Sequence, residues 1–167
     1  MNGIGPGMPV RALVGLGGNV GDSLGILRKT LRDLDALAHT RLLRASRMYR
    51  TPAWGVAKQA DFINAAALLE TTLEPRALLD GLLGIERING RERRERWGPR
   101  ILDLDLLLYG DSVIDEPGLH VPHPHLHERA FALLPLLDVD PEALIPGQGL
   151  ARDALAVLAY EGIEVVG

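Results

Sequence analysis

The segment from Leu102 to Tyr109 constrains the fold more than any other part of this chain. Its first five residues alternate between leucine and aspartate, and a period of two is typical of a β-strand. The predicted apolar face carries Leu102, Leu104, Leu106 and Leu108. Asp103 and Asp105 then share the opposite face. A strand of this kind must bury its leucines against other elements, so we predict a sheet with a packed face.

The rest of the chain alternates between strand-like and helix-like segments. Strands are predicted at Pro9–Leu16, Arg41–Tyr49 and Phe62–Thr71, and a hairpin turn at Gly110-Asp111 leads to Val113-Ile114. Helices are predicted along the stripe Leu24, Leu27, Leu31, Leu34 and Leu37, from Pro75 to Asn89-Gly90, through Phe131 and Leu134, and over Leu150–Tyr160. Because one connection is a hairpin, we predict an α+β fold: a single domain over residues 1–167, with helices packed on a mostly antiparallel mixed sheet.

Composition excludes several classes of protein. The chain has 167 residues, enough for one sizeable core, and no cysteine, which excludes disulfides, thiolate metal sites and cysteine nucleophiles. Its formal net charge of −4 gives no reason to expect binding to nucleic acid or to an anionic membrane. No apolar run is long enough to span a bilayer, and the N-terminus does not resemble a signal peptide. We expect a soluble, cytoplasmic protein that is a monomer or a weak oligomer.

Asp103 and Asp105 form the first candidate site. Their Cα atoms should lie about 6.6 Å apart on one face of the strand. Two carboxylates this close repel each other unless a cation lies between them. Magnesium suits such a pair, because it binds to one or two carboxylates together with substrate phosphates. An acidic, half-exposed edge strand explains this segment equally well when it is taken alone.

The loop before this strand is rich in arginine and favours the metal interpretation. Its arginines are Arg91, Arg93, Arg94, Arg96 and Arg100. A solvated loop or a nucleic-acid contact is the usual explanation of such a run, but this one leads directly into the two-carboxylate strand. Phosphoryl transfer uses that combination, since metals bridge the phosphates and arginines neutralise the charge that develops. Together the two segments predict a polyphosphate substrate.

The usual nucleotide-binding motifs are missing from the sequence. Neither lysine follows a glycine, which excludes a P-loop, and Val20 stands where a dinucleotide fingerprint needs its third glycine. The tract His120–His127 suggests zinc at first sight. However, nothing local converges its imidazoles on one point, so we favour a loop in which one histidine at most touches a phosphate or a base.

Four separated blocks resemble the 6-hydroxymethyl-7,8-dihydropterin pyrophosphokinase family. They are Leu16-Gly17-Gly18-Asn19-Val20-Gly21-Asp22, then Ser46–Pro52 with Gln59–Ala65, then Arg96-Trp97-Gly98-Pro99-Arg100 continuing to Asp105, and finally Val121-Pro122-His123-Pro124 with Arg129-Ala130-Phe131. The blocks follow the family's order within a motif-bearing core of residues 10–140. One departure is Gly18, where the family usually has serine. The resemblance implies a ferredoxin-like fold in α/β/α layers.

The resemblance also implies a role for each candidate residue. The catalytic set would be Arg91, Arg100, Asp103 and Asp105, in which the two aspartates hold two magnesium ions and the two arginines engage ATP. The pterin would be bound by Thr51, Trp54, Phe62, Asn64, Trp97 and Phe131. Further ATP-binding residues would be Glu86, His123 and Arg129. Judged without the family, the aromatic residues are as well explained by core packing.

The implied activity is transfer of pyrophosphate from ATP to 6-hydroxymethyl-7,8-dihydropterin in folate biosynthesis, with AMP and the pterin diphosphate as products. Two alternatives stay open from the residues alone. One is another magnesium-dependent nucleotide phosphotransferase, which would lack an aromatic slot around Asn64. The other is a non-enzymatic α+β ligand-binding module, in which Asp103 and Asp105 would not converge with Arg100.

Overall fold

The computed structural model describes residues 7–52, 60–89 and 101–167. The strands are β1 (Val10–Gly18), β2 (Thr40–Ala45), β3 (Met48–Thr51), β4 (Phe62–Thr71), β5 (Asp103–Tyr109), β6 (Ile114–Glu116), β7 (Leu119–Val121), β8 (Leu144–Ile145), β9 (Gly149–Leu150) and β10 (Glu164–Val166). The helices are α1 (Ser23–Asp35), α2 (Pro75–Ile88), α3 (Ala130–Val139) and α4 (Ala151–Ala156), with a 3-10 turn at Leu126–Glu128. None of the helices in the described ranges is long and apolar enough to cross a membrane.

One antiparallel sheet organises the fold. Its strand order is β10-β3-β4-β1-β5, and β2 also pairs with β4. At 10 residues, β4 is long enough to pair with β1 along one side and with both β2 and β3 along the other. Every strand pairing in the described part of the chain is antiparallel. The predicted α+β fold with a mostly antiparallel sheet is therefore confirmed.

Helices cover both faces of this sheet and produce three layers. On one face, α1 and α2 pack over a core that includes Val14, Leu16 and Leu104. On the other face, α3 packs over residues that include Leu13 and Leu68, and α4 packs against α3 within the same apolar cluster. We call this second side, which carries Leu13 and Leu68, the α3 face. Each face is apolar where a helix covers it, as burial of both sides of a sheet requires.

A β-bulge at Leu107 interrupts the alternation of β5. It lies between two cross-strand pairs of β1 and β5, Leu13–Leu108 and Val14–Leu106, so that β5 contains one extra residue at this point. Leu108 consequently packs on the α3 face, whereas Leu106 packs on the opposite face. The prediction that all four leucines share one face is therefore wrong at Leu108.

The predicted strand Arg41–Tyr49 is two strands, β2 and β3, separated at Ser46. The Ser46 hydroxyl donates to the carbonyl of Arg47 (2.7 Å) and accepts the N–H of Ala66 (2.8 Å). The Ser46 N–H also donates to the Ala66 carbonyl at 2.9 Å. Side-chain bonds of this kind compete with the strand ladder. After this interruption, β3 pairs with the beginning of β4.

Two predictions near the C-terminal half also need correction. The hairpin lies one turn later than expected: β6 pairs with β7 across Pro117-Gly118, where Gly118 has a φ of +76° that suits glycine. The last helix ends at Ala156, well short of Tyr160. The tail after it forms β10, which pairs with the edge of β3 and so gains ladder hydrogen bonds that a continued helix would not make.

Candidate active site

The two aspartates of β5 lie beside two glycines of β1. Gly15 is the cross-strand partner of Asp105, and Gly17 is the partner of Asp103. Gly15 and Gly17 follow Leu13 at a period of two, and opposite residues of an antiparallel pair share a face, so both carboxylates lie on the α3 face. Both aspartates are half-buried. Because glycine has no side chain, the β1 backbone forms a floor next to the carboxylates, and the Leu107 and Asn64 side chains lie close over Gly15 and Gly17.

Asn64 lies on the other side of this floor. It is the partner of Gly17 in β4 and is only 9% exposed. The Thr51 hydroxyl donates to Asn64 Oδ1 at 2.9 Å. A Cβ atom on Gly17 would lie 2.9 Å from Asn64 Nδ2, closer than real Cβ contacts come. Asn64, Gly17 and Asp103 thus form one row across three strands, with the two end Cα atoms about 10 Å apart at normal strand spacing.

Two phenylalanines lie near the ends of the elements that surround this row. Phe62 precedes Asn64 by two residues on the same face of β4 and pairs with Thr51. Phe131 is in the first turn of α3, and the Arg129 guanidinium carbon lies 5.8 Å from the centroid of its ring. Both rings are half-buried. They therefore keep surface that a flat ligand can contact, unlike fully buried core aromatics.

Glu86 supports the aspartate strand from the opposite side of the sheet. This α2 residue is 2% exposed, and its Oε2 accepts the backbone N–H of Leu104 at 2.7 Å. Leu104 stands between Asp103 and Asp105, so the bond fixes the peptide that separates the two carboxylates. The resemblance assigned Glu86 to ATP binding. Its described hydrogen bond is one that holds the backbone of β5.

Replacing Glu86 is expected to change both the stability of the protein and its affinity for nucleotide. In Glu86→Leu the buried Leu104 N–H loses its acceptor, which should cost about 1–3 kcal/mol of stability and loosen the aspartate pair. Glu86→Gln keeps an acceptor oxygen and should lose less stability and less nucleotide affinity. Urea unfolding and calorimetric titration with magnesium and α,β-methylene-ATP would measure the two effects. Nucleotide affinity in Glu86→Leu equal to that of the unmodified protein would contradict a role in holding the strand.

His123 is held in its neutral form near the same strand. Burial, with smaller contributions from Arg129 and the neighbouring histidines, lowers the pKa of His123 to about 4, and Asp103 partly opposes them. Its backbone N–H donates to the carbonyl of Leu107 at 3.0 Å, which ties the histidine tract to β5. Its Nδ1 accepts the His125 N–H at 3.4 Å, so the proton of the neutral ring is on Nε2. Nε2–H is then a donor that does not depend on charge at neutral pH.

Two other histidines of the tract make local pairs. His120 Nδ1 lies 2.8 Å from Asp115 Oδ1, and His125 Nδ1 lies 3.0 Å from Glu128 Oε1. Within residues 7–52, 60–89 and 101–167, no group of three or more His, Asp or Glu side chains is arranged to hold a metal ion. Asp103 and Asp105 can supply two ligands, and a metal there needs further oxygen atoms from a substrate.

Four of the predicted site residues, Trp54, Arg91, Trp97 and Arg100, lie outside the described residues. Sequence reasoning missed a different pair of contributors, Gly15 and Gly17, because it used their glycine-rich segment only to exclude a dinucleotide fingerprint and to support the family resemblance. It also missed Asn19, which is 6% exposed and donates from Nδ2 to the Ala60 carbonyl at 2.9 Å, just before β4. The signal was available, since glycine inside a strand often marks a place where another group approaches the backbone closely.

Comparison with known proteins agrees with this geometry. The model of the 7,8-dihydro-6-hydroxymethylpterin-pyrophosphokinase (HPPK) family matches residues 13–141. The 2-amino-4-hydroxy-6-hydroxymethyldihydropteridine pyrophosphokinase of Methylorubrum extorquens is 42% identical over 156 residues, which cover 93% of this chain and 98% of that protein. The Pseudomonas aeruginosa protein of the same name is 42% identical over 154 residues, covering 92% of this chain and 95% of its own.

A solved structure shares the fold at low sequence identity. A crystal structure of Plasmodium falciparum HPPK-DHPS superposes with a TM-score of 0.73 at 15% identity, over 93% of this chain. This chain spans only 44% of the length of that protein. The match at this identity concerns the fold alone, whereas the matching family model and the curated relatives decide the family. The chain belongs to the 7,8-dihydro-6-hydroxymethylpterin-pyrophosphokinase family.

Proposed function

We propose that this chain transfers pyrophosphate from ATP to 6-hydroxymethyl-7,8-dihydropterin, yielding AMP and the pterin diphosphate for folate biosynthesis. Family membership supports the activity, and one observation connects it to the geometry. Asn64 and Asp103 stand at the two ends of a row whose middle residue, Gly17, has no side chain. A flat heterocycle bound at the Asn64 amide can direct its substituent across β1 toward the carboxylates.

The Asn64 end of the row suits a pterin. A carboxamide offers both a donor and an acceptor, and the pyrimidine edge of a pterin offers the complementary pair. The Thr51 bond to Oδ1 fixes the amide plane in advance, so little rotational entropy is lost when the ligand binds. Phe62 and Phe131 are assigned to stacking on the ring system. Trp54 and Trp97 are assigned to the same subsite by the resemblance alone.

The carboxylate end suits the triphosphate. Asp103 and Asp105 supply hard oxygen ligands on one face, and ATP phosphates can complete the coordination of magnesium. Bound magnesium would neutralise the phosphate charge and align the β-phosphoryl group. The Nε2–H of His123 can donate to a phosphate oxygen or the base while remaining neutral. Arg91, Arg100 and Arg129 are the cations assigned to the remaining phosphate charge.

The reaction needs little covalent participation by the protein. The hydroxymethyl oxygen of the pterin forms a bond to the β-phosphorus of ATP, and the bond from that phosphorus to the α–β bridging oxygen breaks. AMP leaves with the bridging oxygen, and the hydroxyl proton passes to solvent. The chain's own contribution is to hold acceptor and donor in line, which can supply about 7–11 kcal/mol of the barrier reduction. Exclusion of water protects the phosphoanhydride from hydrolysis.

The nucleotide product tests this proposal. Incubation with ATP, magnesium and 6-hydroxymethyl-7,8-dihydropterin should yield AMP and pterin diphosphate in equal amounts, separated by anion-exchange chromatography. ADP with a pterin monophosphate would point instead to another phosphotransferase. Pterin binding without any nucleotide product would point to a ligand-binding module. A parallel incubation without pterin should leave ATP intact, because the acceptor hydroxyl is then absent.

A further inference from the structure

A hydrogen-bonded cluster joins α3 to β3 away from the aspartates. Asp138, in the last turn of α3, accepts four hydrogen bonds through its two carboxylate oxygens. Oδ2 accepts from the Arg47 backbone N–H (3.1 Å), the Arg47 Nε (3.1 Å) and the Tyr49 hydroxyl (2.9 Å), and Oδ1 accepts from the Arg47 Nη2 (3.0 Å). Arg47 Nη2 also donates to the Tyr49 hydroxyl at 3.0 Å. We call Arg47, Tyr49 and Asp138 the Asp138 clamp.

The clamp is more than a surface ion pair. The Asp138 side chain is 18% exposed and Tyr49 is 4% exposed, so the bond between them lies in a partly desolvated place, whereas the Arg47 side chain is 64% exposed. Burial alone would raise the pKa of Asp138, but the hydrogen bonds from Arg47 and Tyr49 hold it below its ordinary value. The carboxylate is therefore ionised, and its bonds are charge-assisted. Bonds of this kind are roughly twice as strong as neutral ones.

Both elements that the clamp joins carry residues of the pterin subsite. Tyr49 is the cross-strand partner of Asn64, and Thr51 follows two residues later on the same face of β3. At the other end of α3, Phe131 precedes Asp138 by seven residues, a distance of about 10 Å along the helix axis. The clamp thus connects the strand that orients the Asn64 amide with the helix that carries Phe131.

Apolar packing does not fix α3 in the way that the clamp does. Leu133 and Leu136 are fully buried and belong to the same apolar cluster as Ala66 and Leu68 of β4. Such contacts hold the helix down, yet the hydrophobic effect is non-directional and tolerates small rotations and slides. Four hydrogen bonds to one carboxylate restrict both, because each requires a narrow range of distance and angle. A shift at the C-terminal end would alter the direction of α3 on the sheet and with it the position of Phe131, even though Pro135 between them leaves the Phe131 carbonyl without its helical N–H donor.

We propose that Asp138 is a positioning residue for pterin recognition, which sets the orientation of α3 on β3 so that Phe131 faces the Thr51–Asn64 pair. The inference rests on the proposed function, since it concerns the pterin side of that site. The clamp does not touch Asp103 or Asp105, since two strands, β4 and β1, lie between β3 and β5. Loosening it should therefore weaken pterin binding much more than nucleotide binding.

The test uses the full chain and two ligands. Calorimetry would measure the Kd of α,β-methylene-ATP with magnesium, and then the Kd of 6-hydroxymethyl-7,8-dihydropterin on the nucleotide-saturated protein. Asp138→Asn should raise the pterin Kd about 10-fold, equivalent to about 1.4 kcal/mol, with nucleotide Kd changed less than about 2-fold. Asp138→Glu keeps the charge and should recover part of the affinity. Tyr49→Phe removes one of the bonds and should give a smaller effect in the same direction.

Glu70→Gln is the matched control. Glu70 accepts a hydrogen bond from Arg41 Nε at 3.0 Å, and its 31% exposed side chain forms a similar ion pair within the same sheet, between β2 and β4. This variant should leave the Kd of both ligands unchanged. If Asp138→Asn does not fold, Tyr49→Phe decides the question by the same comparison, that of the change in pterin Kd with the change in nucleotide Kd.

Three results would overturn the inference. The first is an unchanged pterin Kd in a folded clamp variant. The second is an equal loss for both ligands, which would indicate a structural role only. The third is a similar loss in Glu70→Gln. Failure of the proposed function would be recognised separately, because the unmodified protein would then bind no pterin or release no AMP.

Discussion

Asp103→Ala and Asp105→Ala are each expected to lower turnover by at least about 10³-fold, while the protein remains folded. One lost preorganised electrostatic group commonly costs 10²–10³-fold in rate, about 2.7–4 kcal/mol, and each aspartate would supply a metal ligand as well. The two carboxylates lie on one face opposite two glycines, so removing one relieves repulsion and should not open a cavity in the core. Steady-state rates of AMP formation and thermal melting would measure the two effects.

A control on the same segment makes this experiment specific. Asp111 is exposed in the turn that follows β5, and Asp111→Ala should retain turnover within about 2-fold, as surface substitutions usually do. Magnesium-dependent binding of α,β-methylene-ATP provides a readout apart from turnover, and it should be lost in both aspartate variants. Near-normal turnover in either variant would exclude the metal role. An equal loss in Asp111→Ala would show that the effect is not local to the carboxylates.

Long, uniform patterns of the sequence predicted their elements well. The apolar run Phe62–Thr71 is β4 residue for residue, and Pro75 begins α2, since proline is preorganised for a first helical turn. The shared face of Asp103 and Asp105 also follows from strand periodicity. These features depend on neighbours within one segment, which is the information that a sequence carries most directly.

Features that depend on distant partners could not be predicted in the same way. The bulge at Leu107 lies in the run Leu106-Leu107-Leu108, where three identical residues conceal the change of face. The pairing of β10 with β3 joins Glu164 to Arg50, which are far apart in the chain. No local sequence pattern indicates this pairing. The Asn64–Gly17–Asp103 row requires the register of two strand pairs. A slip of one residue would move Asn64 to the opposite face.

Asn64→Leu is expected to raise the pterin Kd about 100-fold, the second largest effect among these predictions. Leucine is close to asparagine in shape, so the variant removes hydrogen bonds with little change in volume. Each polar group left without a partner at a buried position costs about 1–3 kcal/mol, and the pterin edge loses both a donor and an acceptor contact. Nucleotide affinity should change less than about 2-fold, because Asn64 lies about 10 Å from Asp103 at normal strand spacing.

Two threonine variants extend this prediction. One should give a smaller effect in the same direction, and the other is a control. Thr51→Val removes the hydroxyl that orients Asn64 Oδ1 but leaves the amide in place, so the pterin Kd should rise only about 10-fold, roughly one lost hydrogen bond. Thr71 is the matched control, because it is equally buried and its hydroxyl lies 2.7 Å from that of Thr40, at the opposite end of β4. Thr71→Val should lower the melting temperature without altering the pterin Kd. If Thr71→Val weakened pterin binding as much as Thr51→Val, the losses would reflect general destabilisation of β4, and Asn64 would have no particular role in recognising the heterocycle.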